Sequence, residues 1–203
     1  MVTFSSILVV MVIAWVTSLL STSAGMVSKN SATGDLGYVS TTFSADATSA
    51  VVCDPAGLGV PYYTFSSTQV GFYEPSSVTS GAISLVLWQY SSGQLQRAEI
   101  QPSSGSSCSF DTSSANWVTV ASSVSSAQFT PWYQGSQASY PATPTSGGSC
   151  AGGVGTTNEP DMCIFDSVEL SATIKGVSVG AQGASSSSMD ETYPVSLADS
   201  KLV

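Results

Sequence analysis

Residues 1–28 contain no charged side chain, and within them residues 7–16 (ILVVMVIAWV) form an unbroken apolar run that Phe4, Leu19, Leu20, Met26 and Val27 extend in both directions. At about 1.5 Å per residue, a helix here is roughly 40 Å long, enough to cross a hydrocarbon core of about 30 Å. The pattern predicts one long helix over residues 1–33. Val and Ile form helices poorly in water, but packing in lipid or in a bundle overrides that preference. Ser18, Ser21, Ser23, Ala24 and Gly25 are small and let neighbouring helices approach closely. Gly34 and Gly37, with Asp35 between them, predict the stop.

From Leu36 onward the signals are those of strands. Residues 36–44, 50–53, 61–66, 69–73, 82–90, 94–100, 116–121, 125–130, 162–173 and 192–197 are short runs rich in Val, Ile, Thr and aromatics, punctuated by Gly, Pro, Ser and Asn. Val168, Leu170, Ala172 and Ile174 alternate with Glu169, Ser171, Thr173 and Lys175, which predicts one buried and one wet face. Residues 85–90 are apolar on both faces and suit a central strand, with Ser91-Ser92-Gly93 turning back into residues 94–100. Residues 131–155 are too rich in Pro, Gly and Ser for regular structure, and residues 185–188 read as a low-complexity connector. The expected fold is α+β: a long N-terminal hydrophobic helix (residues 1–33) followed by an all-β antiparallel, Ig-like sandwich head (residues 34–203).

Composition narrows the function. The chain has 4 Lys+Arg, 13 Asp+Glu, no His and a formal net charge of -9. So few basic groups cannot neutralise a phosphate backbone, which excludes nucleic acid as a partner and anionic headgroups with it. Ser and Thr supply most of the polar surface, a composition suited to the outside of a cell and to O-linked glycans. Residues 103–109, 122–126 and 136–149 are the expected acceptor tracts, whereas Asn30, Asn116 and Asn158 all lack the sequon for N-linked sugar. Cys53, Cys108, Cys150 and Cys163 are an even set without CxxC spacing, so disulfides are expected. Four cysteines allow three connectivities, and Cys150 with Cys163 plus Cys53 with Cys108 is the preferred one. A signal peptide carries positive charge ahead of its apolar run, but the first basic residue is Lys29; a short basic leader, already removed, is the expected explanation.

The search for chemistry is mostly negative. Without His there is no Ser-His-Asp or Cys-His arrangement and no imidazole ligand. The AGGVGT stretch (residues 151–156) lacks the GK[ST] of a phosphate loop. Glu159/Asp161, Asp166/Glu169 and Asp190/Glu191 are carboxylate pairs, but sequence neighbours need not share a cleft. Glu159, Asp161 and Asp166 lack the spacing of a Ca²⁺ loop and read as solvated turn residues. Tyr62, Tyr63, Phe65, Phe72, Tyr73, Trp132 and Tyr133 invite a sugar-stacking role, with core or interface aromatics as the preferred account. The expectation is a non-enzyme with no catalytic residue, metal or cofactor.

An apolar N-terminal helix followed by a Ser/Thr-rich, disulfide-compatible β head resembles the archaeal type IV pilins and, more distantly, archaeal flagellins. The resemblance is one of architecture over the whole chain. It implies a subunit that resides in the membrane before assembly, helices bundled into a filament core, and outward heads, often glycosylated, at the cell surface. Bacterial type IV pilins carry Glu at the fifth mature position, where this chain has Ser5. Physical reasoning reaches a filament separately, because an apolar helix in water must be covered by copies of itself, and a non-closing contact makes a fibre. Phe4, Ile7, Leu8, Met11, Val12, Trp15, Leu19 and Leu20 are the expected homopolymer contacts. The rivals are a membrane-anchored or secreted binding module, for carbohydrate for example, and a viral coat or spike protein.

Overall fold

A computed structural model describes residues 2–51, 53, 62–76, 82–102, 110–133, 136–137, 167–178 and 185–195. It has one long N-terminal helix, α1 (Val2–Ser49), followed by two antiparallel sheets. This is the α+β arrangement of an apolar helix and a β-sandwich-like head.

The helix does not stop at Gly34 or Gly37, and residues 36–44 are helical rather than a strand. The boundary at residues 33 and 34 therefore falls inside α1. Tertiary burial overrides the local signal. Ser28, Ala32, Leu36, Val39, Phe43, Ala47 and Ala50 recur every third or fourth residue and are buried. Fully burying a side chain such as Leu36, Val39 or Phe43 contributes about 1.5–3 kcal/mol. Two glycines in a helix cost about 1 kcal/mol each, so burial prevails.

The first sheet is a meander of β1 (Tyr62–Phe65), β2 (Gln69–Pro75), β3 (Ile83–Ser91), β4 (Gln94–Ile100) and β5 (Val118–Ala121), neighbours in that order. β3 lies at its centre, as its two apolar faces require. Val86 and Trp88 enter the main core, while Ile83, Leu85 and Leu87 enter a second cluster with Tyr73, Ile100 and Cys53. Val51, Phe110, Ala115 and Trp117 pack against that second cluster. β3 and β4 join through Ser92 and Gly93, whose φ values of 52° and 74° give the left-handed turn that a two-residue hairpin needs. Of residues 50–53, Val51 makes a single bridge to the sheet, its N–H donating to the Tyr73 carbonyl.

The second sheet runs β7 (Ser136–Gln137), β6 (Val124–Tyr133), β8 (Ser167–Lys175), β9 (Ser186–Pro194). Val168, Leu170, Ala172 and Ile174 all face the core, as their alternation requires. Residues 186–188 are strand rather than connector, because Ser186, Ser187 and Ser188 pair with Lys175, Ile174 and Thr173 of β8. Non-local pairing decides there what serine propensity does not. Most of the 131–155 stretch lies outside the described residues; Pro131, Trp132 and Tyr133 belong to β6.

Candidate functional site

The two halves of α1 meet different surroundings. Val10, Met11, Val12, Ile13, Trp15, Val16, Leu19, Leu20, Met26 and Val27 are exposed, so apolar side chains cover the helix on every side and nothing among the described residues shields them. Residues 10–27 extend over about 27 Å of helix axis. Three hydroxyls along this half bond back to helix carbonyls. Thr17 donates to the Ile13 and Ala14 carbonyls, and Ser21 and Thr22 to that of Ser18. Such back-bonding leaves few polar groups requiring water. Among the described residues, this helix is long and apolar enough to cross a membrane.

From Ser28 onward the helix is locked into the head at three levels. At the first, the Ser185 N–H donates to Ser28 Oγ at 2.8 Å, and Gly176 lies against the Ser28 backbone. A Cβ on Gly176 would sit 1.8 Å from the Ser28 carbonyl oxygen, so the approach demands glycine. At the second, Phe43 enters the gap between the sheets. Its ring centroid lies 5.8 Å from Phe72, 5.3 Å from Trp88, 5.7 Å from Phe129 and 5.2 Å from Tyr193, two rings from each sheet. Close by, Ser40 and the Tyr193 hydroxyl both donate to Glu191 Oε2, at 2.8 and 2.6 Å, and hold that carboxyl below its usual range, Tyr193 more than Ser40.

The third level is a charged joint. Asp46, buried in the last turns of α1, accepts from Trp88 Nε1 at 2.6 Å and from Arg97 Nε and Nη2 at 2.7 and 2.9 Å. A two-pronged guanidinium contact is directional as well as strong, so it fixes how the helix meets the first sheet. Beside it stands Glu74 of β2, buried, with Oε1 lacking a hydrogen-bond partner among the described residues. Burial and the neighbouring Asp46 carboxylate push Glu74 up to about 9, against the smaller opposing pull of Arg97.

Of the expected contact residues, Met11, Val12, Trp15, Leu19 and Leu20 lie on the uncovered half, while the side chains of Phe4, Ile7 and Leu8 lie outside the described set. Cys53 is buried and disulfide-bonded. Cys108, Cys150 and Cys163 lie outside the described residues, and the pairing with them. Glu159, Asp161 and Asp166 also lie outside. Asp190 and Glu191 face opposite sides of β9. Asp190 instead meets Glu169 on the outer face of the second sheet, where hydrogen bonding to Asp190 raises Glu169 and bonding from Ser171 lowers Asp190. Phe65, Phe72 and Tyr73 are core; Trp132 is half-buried and donates to Glu169 Oε2. The joint of Asp46, Glu74 and Arg97 escaped sequence reasoning because its members are scattered along the chain. Its one signal is Arg97 itself, the single arginine in a chain with only 4 basic residues. Comparison with protein-family models and with curated proteins finds no match for the chain.

Proposed function

We propose that the chain is the structural subunit of an extracellular, type IV pilus-like filament, with apolar helices bundled at the centre and β heads outward for adhesion or surface attachment. The observation that carries this reading is the uncovered half of α1 on a helix whose other half is fixed in the head. So much apolar surface is unstable in water, and copies of the same helix are a self-complementary cover. Small residues at 18, 21, 23, 24 and 25 let helices approach, and the Cβ position of Gly25 has no neighbour within 4 Å. The Cys53 disulfide supports an oxidising location. Exposed Ser122, Ser123, Ser125 and Ser126 are available to O-linked glycans. The resemblance to archaeal pilins rests on this architecture, and membrane residence before assembly follows from the same helix. A second reading, a membrane-anchored binding module, draws on the capacity of α1 to cross a bilayer.

Negative-stain microscopy of the full chain after detergent removal separates the two. Filaments are expected, and Val12→Asp should abolish them by placing a charge in the apolar bundle at about 2.5–3.5 kcal/mol per subunit. Monodisperse wild-type protein that enters lipid vesicles without polymerising would reject the filament in favour of the anchor.

A further inference from the structure

The joint between helix and head contains one carboxyl more than its single guanidinium can balance. Asp46 of α1 uses both oxygens, taking Trp88 and Arg97 Nε on one and Arg97 Nη2 on the other. Glu99 of β4 lies 4.0 Å from Arg97 Nη1 at the solvent edge, with its side chain 27% exposed. Glu74 of β2 stands inside, 9% exposed, with no hydrogen-bond partner for Oε1 among the described residues. Were Glu74 ionised, two interior carboxylates would share one cation, and the second would be desolvated and unpaired.

We propose that Glu74 is a protonated carboxylic acid in the assembled joint, and that loss of this proton at alkaline pH loosens α1 from the head. The device depends on the joint alone and is independent of the filament reading. The groups facing Glu74 are Asp46 from α1 and Arg97 and Glu99 from β4. Its titration, displaced upward to about 9, agrees with this geometry. An acid raised in the folded state gives stability that is complete below the unfolded value near 4.5 and is lost as pH rises through the folded value near 9. Across that window one extra proton is held by the folded form, so the unfolding constant rises by up to about tenfold per pH unit, and above it this group has no further effect.

Two readouts on the full chain in neutral detergent test the device. Infrared spectroscopy should show a protonated-carboxyl band at pH 7 that Glu74→Gln removes and Glu169→Gln leaves, Glu169 being the outer-face carboxyl that Asp190 also keeps protonated more readily. Hydrogen exchange of residues 39–49, compared at each pH with Glu74→Gln, should show wild-type protection falling at least tenfold more than the variant's between pH 7 and pH 10. A Glu74-dependent band absent at pH 7, or equal alkaline loss in both proteins, overturns the proposal. If Glu74→Gln does not fold, the fall in wild-type protection with rising pH must level off where the wild-type band that survives Glu169→Gln disappears; a fall that continues unchanged beyond that pH, or a plateau reached while the band is still full, also overturns the proposal.

Discussion

The two halves of α1 share one backbone and one helical geometry, yet they follow opposite rules. Among the described residues, 10–20 are exposed and apolar on every side and Ala24 is the first to be buried, whereas residues 28–49 carry an apolar stripe one face wide, pressed into the seam between two sheets. A helix apolar all round is built for lipid or for other helices, and a striped one for a globular core. Helix and head therefore pack as one unit at the Phe43 end, and the other end presents exposed apolar side chains. The lesson is that the boundary between the head and the exposed apolar half of the helix falls near Ser28, where Gly176 and Ser185 close on the helix, not where the helix stops.

The sharpest way to break this comparison is to truncate one aromatic in each half. Phe43→Ala should destabilise the head by about 3–5 kcal/mol, as loss of a fully buried ring does. Trp15→Ala, at a position 66% exposed, should change head stability by less than about 0.5 kcal/mol while impairing assembly. Denaturant midpoints of the two variants in detergent read the difference, and similar midpoints would erase the distinction. Next in size is Arg97→Met, which strands Asp46 without its cation. About 3 kcal/mol is expected, the low end for breaking a buried pair, because the Arg97 side chain is 25% exposed. Restoring stability with Asp46→Asn in the same chain would identify the stranded charge as the cause.

Gly176→Ala comes third. The new methyl collides with backbone rather than with a side chain that can swing away, so about 1–3 kcal/mol is expected from overpacking. Faster hydrogen exchange near Ser28, with Phe43 protection unchanged, would locate the damage at the first clamp. The smallest effect has the opposite sign. Gly34→Ala and Gly37→Ala add a Cβ that meets nothing within 4 Å, and each should stabilise α1 by about 0.5–1 kcal/mol. Destabilisation by either would mean that the helix does not run through these positions.

That last pair shows where the sequence was legible and where it was not. Alternation along residues 167–175 and the two apolar faces of residues 85–90 reveal strand type and sheet position, because each signal is carried largely by residues that are buried. β4 likewise has the bounds its pattern predicts. Residues 36–44 mislead because Tyr38, Val39, Thr41, Thr42 and Phe43 favour strands locally, and the force that makes them helical comes from rings far along the chain. Ser186, Ser187 and Ser188 mislead in the opposite way, since only pairing with β8 makes them a strand. The uncovered half of the helix was evident from its lack of charge, whereas the Asp46, Glu74 and Arg97 joint exists only through register and packing that no local pattern encodes.

The central claim, that the projecting half of α1 seeks copies of itself, is tested most directly by measuring distances between spin labels at Ser21 in assembled full-length protein. The account predicts strong label-to-label coupling between subunits, consistent with helix axes about 8–10 Å apart. Assemblies joined through their heads, with Ser21 labels out of dipolar reach of one another, would contradict it.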